Sequence, residues 1–298
     1  MVRAVQAADG ARPAREGHPV TAREPGVYED VPDTDYHDDL VSLSSSGART
    51  LLNDSPARFA YDREHGSGPK RTYDLGHAAH RLVLGAGSEL VEVKFENYLT
   101  KAAKEAKADA YAQGLVPLLS KEMRVAEAMA AKVRAHPVAA MLFEAGRPEV
   151  SLYWTDEASG VQLRARPDWL PARPGRLIIT DYKTTVTAHP RKFARKAADY
   201  GYHQQAPWYI DGAIALGLDE DPAFVFIAQE KEPPYLVSVV ELDAAAIAEG
   251  RRLNRQAIDL YAQCVEDNEW PGYGDGVELL SLPSWAAPRG DEGTPLYV

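Results

Sequence analysis

Two charged residues of opposite sign close a greasy stretch. In residues 176–185, Leu177, Ile178 and Ile179 lead through Thr180 into Asp181, and Lys183 follows two places on. Side chains alternate along a strand, so Asp181 and Lys183 share a face. A carboxylate there can ligate a hard cation. An ammonium beside it can act as a point charge next to a bound water or an attacked phosphate. Asp168 ends the preceding strand, and Glu149 opens the one before that, so a hairpin arrangement brings three acids together. Such acids repel one another unless a cation lies among them. Oxygen-rich ligation suits Mg2+ or Mn2+. Singly, each residue has a plain structural explanation: Asp168 follows Pro167 and suits a turn, and Glu149 beside Pro148 suits a surface. Their joint placement around one hairpin carries the chemical reading.

The surroundings sharpen it. The chain of 298 residues has a formal net charge of −11, which by itself argues against a polyanionic partner. Within residues 161–200, however, nine Lys/Arg stand against three acids. A local basic excess around an acidic centre suits a polyanion that is gripped and then met by metal ions. The single cysteine, Cys264, excludes an intrachain disulfide framework, a four-cysteine zinc site and a cysteine-ligated iron–sulfur cluster. That usage, with no apolar run long enough for a bilayer and no apolar core behind the basic N-terminus, predicts a cytoplasmic protein without membrane contact.

The elements that must position these groups follow from periodicity. Residues 1–26 and 286–298 read as tails. The domain runs over 27–285, with a mainly helical part at 27–145 and an α/β core at 146–285. A serine near residue 42 caps an amphipathic helix that offers Leu51, Leu52, Ala57 and Phe59 to a core. Residues 73–85 form a short helix with Leu75, Ala79, Leu82 and Val83 on one stripe and Gly85 as terminator. Residues 96–113 and 117–137 are helical, the second stopped by Pro137. From Glu149 the pattern becomes strand, turn, strand, turn, strand, with turns at 156–160 and 171–175. The apolar run before Asp181 predicts a strand covered on both faces. Residues 190–216 read as one long helix that Pro207 kinks or divides. Two strands within 223–242 and a closing helix at 244–266 complete an α/β core with an N-terminal helical addition.

The ordered set Glu149…Asp168…Asp181-Tyr182-Lys183 resembles the PD-(D/E)xK nucleases, with Pro167-Asp168 as the "PD" and Asp181-x-Lys183 as the "(D/E)xK". More narrowly, the chain is similar to the RecE / exonuclease VIII branch of phage and prophage exonucleases. Gly76-His77-Ala78-Ala79-His80-Arg81-Leu82-Val83-Leu84 matches its "GxAxHxLxL" segment, and the stretch from Tyr202 to Tyr209 matches its "YxxQxxxY" helix. The similarity spans about residues 27–275.

That resemblance implies a restriction-endonuclease-like fold, a central mixed sheet flanked by helices. It also implies metal-dependent 5′→3′ degradation of linear double-stranded DNA, leaving single strands for recombination. His80, Glu149, Asp168 and Asp181 would bind metal, two Mg2+ or Mn2+ ions, with His77 the less favoured histidine. Lys183 would stabilise charge or polarise the water, while Gln205 and Tyr209, at i and i+4, would face the site. Arg164, Arg166, Arg191, Lys192, Arg195 and Lys196 would hold the DNA backbone. A ring-shaped homo-oligomer, a single-strand annealing partner and a bacterial or phage-infected host cell belong to the same expectation. The alternatives are a RecB-like, possibly endonucleolytic relative, and a catalytically inactive DNA-binding protein on the same fold.

Overall fold

The computed structural model describes residues 22–65 and 74–282; the C-terminal tail, residues 1–21 of the N-terminal tail and residue 73 of the short helix lie outside them. The chain opens with β1 (Gly26–Tyr28), α1 (Asp33–His37), β2 (Leu43–Ser44), α2 (Ser45–Asn53) and α3 (Pro56–His65). Ser44 is the cap of α2, its Oγ accepting from Gly47 N at 3.1 Å, so one of the first turn's donors is satisfied. Next come α4 (Asp74–Leu84), β3 (Leu90–Val93), α5 (Lys101–Ala112), β4 (Val116–Leu119), α6 (Ser120–Ala135) and α7 (Pro137–Leu142). Gly85, at φ +75°, ends α4 with its N–H on Arg81 O.

Two expectations fail in this region: the one helix expected to carry Leu51, Leu52, Ala57 and Phe59 is two, α2 and α3, parted at Asp54 and Ser55 before Pro56. Residues 117–119 are strand, not helix: β4 pairs in parallel with β3, and α6 starts only at Ser120. The start is set by Glu122, whose Oε2 accepts from Leu119 N at 2.8 Å. Pro137 does stop α6, and it also serves as the first residue of α7, where its missing N–H costs nothing.

The second half holds β5 (Gly146–Pro148), β6 (Ser151–Thr155), β7 (Gln162–Ala165), β8 (Trp169–Pro171) and β9 (Ile178–Thr185). These are followed by α8 (Pro190–Asp199), α9 (Tyr202–Ala215), β10 (Ala223–Glu230), β11 (Val237–Glu241) and α10 (Ala244–Asp267). The expected meander is instead divided between two sheets. A four-stranded sheet runs β1-β6-β7-β2, and a five-stranded mixed sheet runs β11-β10-β9-β8-β5. In this half the chain therefore changes sheet twice, between β5 and β6 and again between β7 and β8. β1 and β2, from the N-terminal part, complete the first sheet on β6 and β7.

The mixed sheet is covered on both faces, which explains the unbroken apolar runs of β9 and β10. Ile179, Phe224 and Phe226 pack toward residues of α9 and α10 such as Ala206, Ile210 and Ile258. Tyr182, Val225 and Ile227 pack toward Ala79 of α4, Met129 and Val133 of α6, and Leu142 of α7. β9 and β10 are parallel over eight residue pairs, and Asp181 stands opposite the fully buried Phe226.

The long helix expected over 190–216 is two helices, and the break is not at Pro207. It falls at Gly201, whose φ of +66° a side chain would resist. Pro207 lies inside α9. Having no N–H, it leaves the carbonyl of His203 without its usual i+4 donor. α10 closes on that spot with Gly250, where an added Cβ would stand 1.6 Å from His203 O. Among the described residues no helix is long and apolar enough to cross a membrane.

Candidate active site

Both sheet changes end in an acid. Glu149 sits between β5 and β6 in the left-handed region, at φ +52°, and Asp168 sits between β7 and β8. The Glu149 N–H donates to Asp168 O at 3.2 Å, so the two bends hold each other. A non-glycine residue in that conformation costs on the order of 1 kcal/mol. The crossing geometry enforces it and aims the carboxylate at α4. Asp168 thus does not end a hairpin strand, as expected from sequence; it occupies the gap where the chain leaves one sheet for the other.

α4 presents His80 to both acids. Its Nε2 lies 3.3 Å from Asp168 Oδ1 and its Nδ1 3.8 Å from Glu149 Oε1. Burial lowers the His80 pKa, but the Asp168 and Glu149 charges outweigh it and hold the imidazole above its ordinary value. Behind this group, Lys183 Nζ lies 2.6 Å from Asp181 Oδ2, and Gln205 Nε2 donates to Asp181 Oδ1 at 2.7 Å. Asp168 Oδ2 accepts from Tyr182 N at 2.7 Å, tying it to the strand that carries the other pair.

Environment separates the two aspartates. Burial, and then the charge of Asp168, push the Asp181 carboxyl up to about 6, although Lys183 and Gln205 pull the other way. Burial also pushes Asp168 up, yet His80, Lys183 and the Tyr182 N–H together hold it below the usual range. The Lys183 ammonium survives its burial because Asp181 and Asp168 raise its pKa. Glu149 is raised by burial and by the nearby Asp33.

His80, Glu149 and Asp168 line one side of a cavity of about 460 Å3. Asp181, 1% exposed, lies behind that wall. The donors fit a hard divalent cation: three carboxylates and an imidazole, with two of the carboxylates repelling each other in a buried setting. Asp181 Oδ2 is buried and has no hydrogen bond, only the Lys183 ammonium. As the side chains stand, no three His, Cys, Asp or Glu among the described residues are gathered closely enough to hold an ion. The His80 imidazole fills the space between Glu149 and Asp168.

The expected helix pair splits in role. Gln205 touches Asp181, whereas the Tyr209 hydroxyl donates to Arg166 O at 3.2 Å and Trp208 Nε1 to Arg164 O at 2.9 Å. α9 therefore holds both the catalytic-looking acid and the strand leading to the other one. Pro207 leaves that face intact.

Of the six expected backbone-gripping cations, two are corrected. Arg164 is buried, bonded to Ser42 O and Oγ and 3.6 Å from Asp39. Arg166 bonds to Ser151 Oγ, Asp33 Oδ1 and Val31 O, with its guanidinium 4.0 Å from the Tyr36 ring centroid. Alternation along β7 and beyond turned both inward, where protein partners hold their guanidinium groups. Arg191, Lys192 and Arg195 are exposed on α8, and Lys196 is half-buried there.

Sequence reasoning missed other residues that line the cavity, chiefly Tyr36, Ser45 and Arg49. The signal was present for the last two. They are four apart on the helix whose serine cap was recognised, hence on one face.

A mixed sheet with parallel β9 and β10, helices on both faces, and an Asp…Asp-x-Lys set at the strand crossing defines the restriction-endonuclease-like class of folds. The chain belongs to the family described as PDDEXK-like domain of unknown function (DUF3799), whose model matches residues 44–283. It is similar in fold to the "Putative exonuclease" of Eubacterium rectale. That crystal structure aligns with 84% of this chain and 92% of its own, at 12% identity and a TM-score of 0.57. SSO0001 aligns with 63% of this chain and 84% of its own, at 15% identity and a TM-score of 0.27, too low to bear on the fold. No curated protein matches the sequence.

Proposed function

We propose that the protein is a metal-dependent deoxyribonuclease that hydrolyses phosphodiester bonds from the ends of linear double-stranded DNA in the 5′→3′ direction. The observation that carries this is the pairing of Asp181 with Lys183 at 2.6 Å, directly behind an acid–imidazole wall that faces an open cavity. Mg2+ or Mn2+, two ions held by His80, Glu149, Asp168 and Asp181, would supply Lewis-acid polarisation of the phosphoryl group and a lowered pKa for the attacking water.

The chain's own groups do the rest. Gln205 orients Asp181 through one oxygen and leaves the other to Lys183. Lys183 places a fixed positive charge where negative charge develops on the phosphoryl oxygens. Tyr182 N–H fixes Asp168, so the two carboxylates keep their spacing when substrate enters. Arg191, Lys192, Arg195 and Lys196 of α8 hold the backbone from outside the cavity. The RecE-like branch adds a ring-shaped homo-oligomer, single strands left for recombination and an annealing partner to the reading.

Digestion of 5′- and 3′-labelled linear duplexes and of a covalently closed circle, with Mg2+ and with EDTA, tests it. Mg2+-dependent release from the 5′ end with the circle intact is expected. Cleavage of the circle would instead favour a RecB-like endonuclease. DNA binding without any cleavage under Mg2+ or Mn2+ would identify an inactive DNA-binding protein on the same fold.

A further inference from the structure

The cavity has a second wall that the hydrolytic set does not use. It is formed by the first turns of α2, with Ser45 and Arg49 one helical turn apart. We propose that this wall is an oxyanion subsite that takes a phosphate group of the substrate, separate from the Glu149–His80–Asp168 side. The proposal rests on the nuclease reading for whose phosphate that is.

Three independent features meet there. Ser45 is 5% exposed, lines the cavity, and its Oγ has no hydrogen-bond partner. A buried hydroxyl left unpaired costs about 1–3 kcal/mol, so native sites seldom tolerate one unless a ligand completes it. Its neighbours differ: Ser44 Oγ caps Gly47 N, and Ser46 Oγ lies 3.0 Å from Ser44 Oγ.

Arg49 is the second feature. Its guanidinium donates to Gly201 O at 3.3 Å, and among the described residues no carboxylate lies within ion-pair distance of it. Arg164, Arg166, Arg251 and Arg255 each have an acid partner. Space for Arg49 is reserved: a Cβ on Gly201 would stand 2.5 Å from Arg49 Cδ. A half-buried guanidinium with donors to spare is built to bind an oxyanion by a fork of hydrogen bonds.

The third is the helix itself. The first N–H groups of α2 have no acceptor within the helix, and its dipole favours an anion at this end. Serine hydroxyl, guanidinium and helix N-terminus thus bring donors and positive potential to a cavity that the acids also line. A phosphate held there is gripped by Ser45 and Arg49 and not by the acids. It is either a terminal monoester or a backbone diester next to the reacting one.

Titration calorimetry of the full chain with inorganic phosphate, in EDTA, tests the subsite without catalysis. The wild type should bind. Ser45→Ala should weaken binding about tenfold, and Arg49→Gln more than that, as expected for lost hydrogen bonds to a charged group. Ser45→Ala should not lower Tm, because the hydroxyl has no internal partner, and this variant carries the test if Arg49→Gln misfolds. No phosphate binding by the wild type, or binding unchanged in both variants, would overturn the proposal. A second arm compares, by anisotropy in EDTA, duplexes with 5′-phosphate, 3′-phosphate and hydroxyl ends. A preference for one phosphorylated end that both variants lose assigns the terminal phosphate. Equal affinities, weakened alike by both variants, assign the backbone. The two readings separate cleanly. A chain that binds phosphate through these residues but never cleaves DNA keeps the subsite and loses the nuclease, and one that cleaves with binding indifferent to both substitutions does the reverse.

Discussion

The two walls of the cavity are built by opposite means. The acidic wall is assembled from three distant parts of the chain: a helix at residue 80, and two bends near residues 149 and 168 where the chain changes sheet. The donor wall at Ser45 and Arg49 comes from one helix. A wall made of crossings is rigid because each bend is pinned by the other, through the Glu149–Asp168 backbone bond, and because α9 holds Arg166 O beside Asp168 through Tyr209 and the strand behind them through Gln205. A wall made of one helix depends on that helix being docked, here by β2 on β7 and by Gly201 giving way to Arg49. The first arrangement suits groups whose spacing must not change during chemistry. The second suits capture.

The sharpest way to break this contrast is at the acid side. Asp181→Ala or Lys183→Ala should lower the rate of Mg2+-dependent DNA hydrolysis about a hundredfold or more, with the circular dichroism spectrum unchanged. If both variants cleave at the wild-type rate, the acidic wall is not the reactive one.

A second test concerns a cation near the donor wall that only looks available. Arg164→Ala should cost about 3–5 kcal/mol of stability in denaturant unfolding, because it leaves Asp39 buried without its partner. The salt dependence of DNA binding should not change.

Gln205→Leu probes the pinning itself. Losing the bond to one Asp181 oxygen should reduce the hydrolysis rate about tenfold, with a smaller loss for Tyr209→Phe, whose hydroxyl reaches only a backbone carbonyl. Equal losses would mean that α9 acts by packing alone.

On α8, Arg195→Ala should flatten the slope of log affinity against log salt by about one unit, without affecting the fold. An unchanged slope would move the backbone contacts elsewhere.

The smallest effect lies far from both walls. Asp156 is pushed up by its burial, yet Ser159 and Arg255 together hold it below the ordinary 3.8. A depressed folded-state pKa gives stability that is present above the unfolded value and lost as pH falls through the folded one. Asp156→Asn should therefore lower Tm slightly at neutral pH, and the gap from wild type should close below about pH 4. A gap that stays constant into acid would show that charge is not its source.

Much of the site was legible in the residues. Asp181 and Lys183 share a strand face by simple alternation, the buried run before them demanded cover on both sides, and Gly85, Ser44 and Pro137 marked helix ends as their backbone chemistry requires. Three features were not legible. Residues 117–119 look helical because Leu and Pro beside a helix start carry no period of their own, and only the partner β3 makes them a strand. Pro207 reads as a break, yet α10 supplies Gly250 at the carbonyl it frees. Arg164 and Arg166 read as surface cations, since nothing local reveals Asp39, Asp33 and Tyr36 waiting over a hundred residues upstream.

The sequence by itself determined which groups exist and which way each points from its own strand or helix, because alternation and helical pitch are local properties of the backbone. Only the tertiary structure decided that the run from Gln162 to Pro171 splits between two sheets, with Asp168 at the split and Glu149 across from it. Sheet membership depends on which distant strand offers its unpaired N–H and C=O groups, and no local pattern encodes that choice. It gathered two acids and a histidine in the cavity lining, with Asp181 buried behind them, and brought into the same lining a serine hydroxyl without a partner and an arginine without an acid.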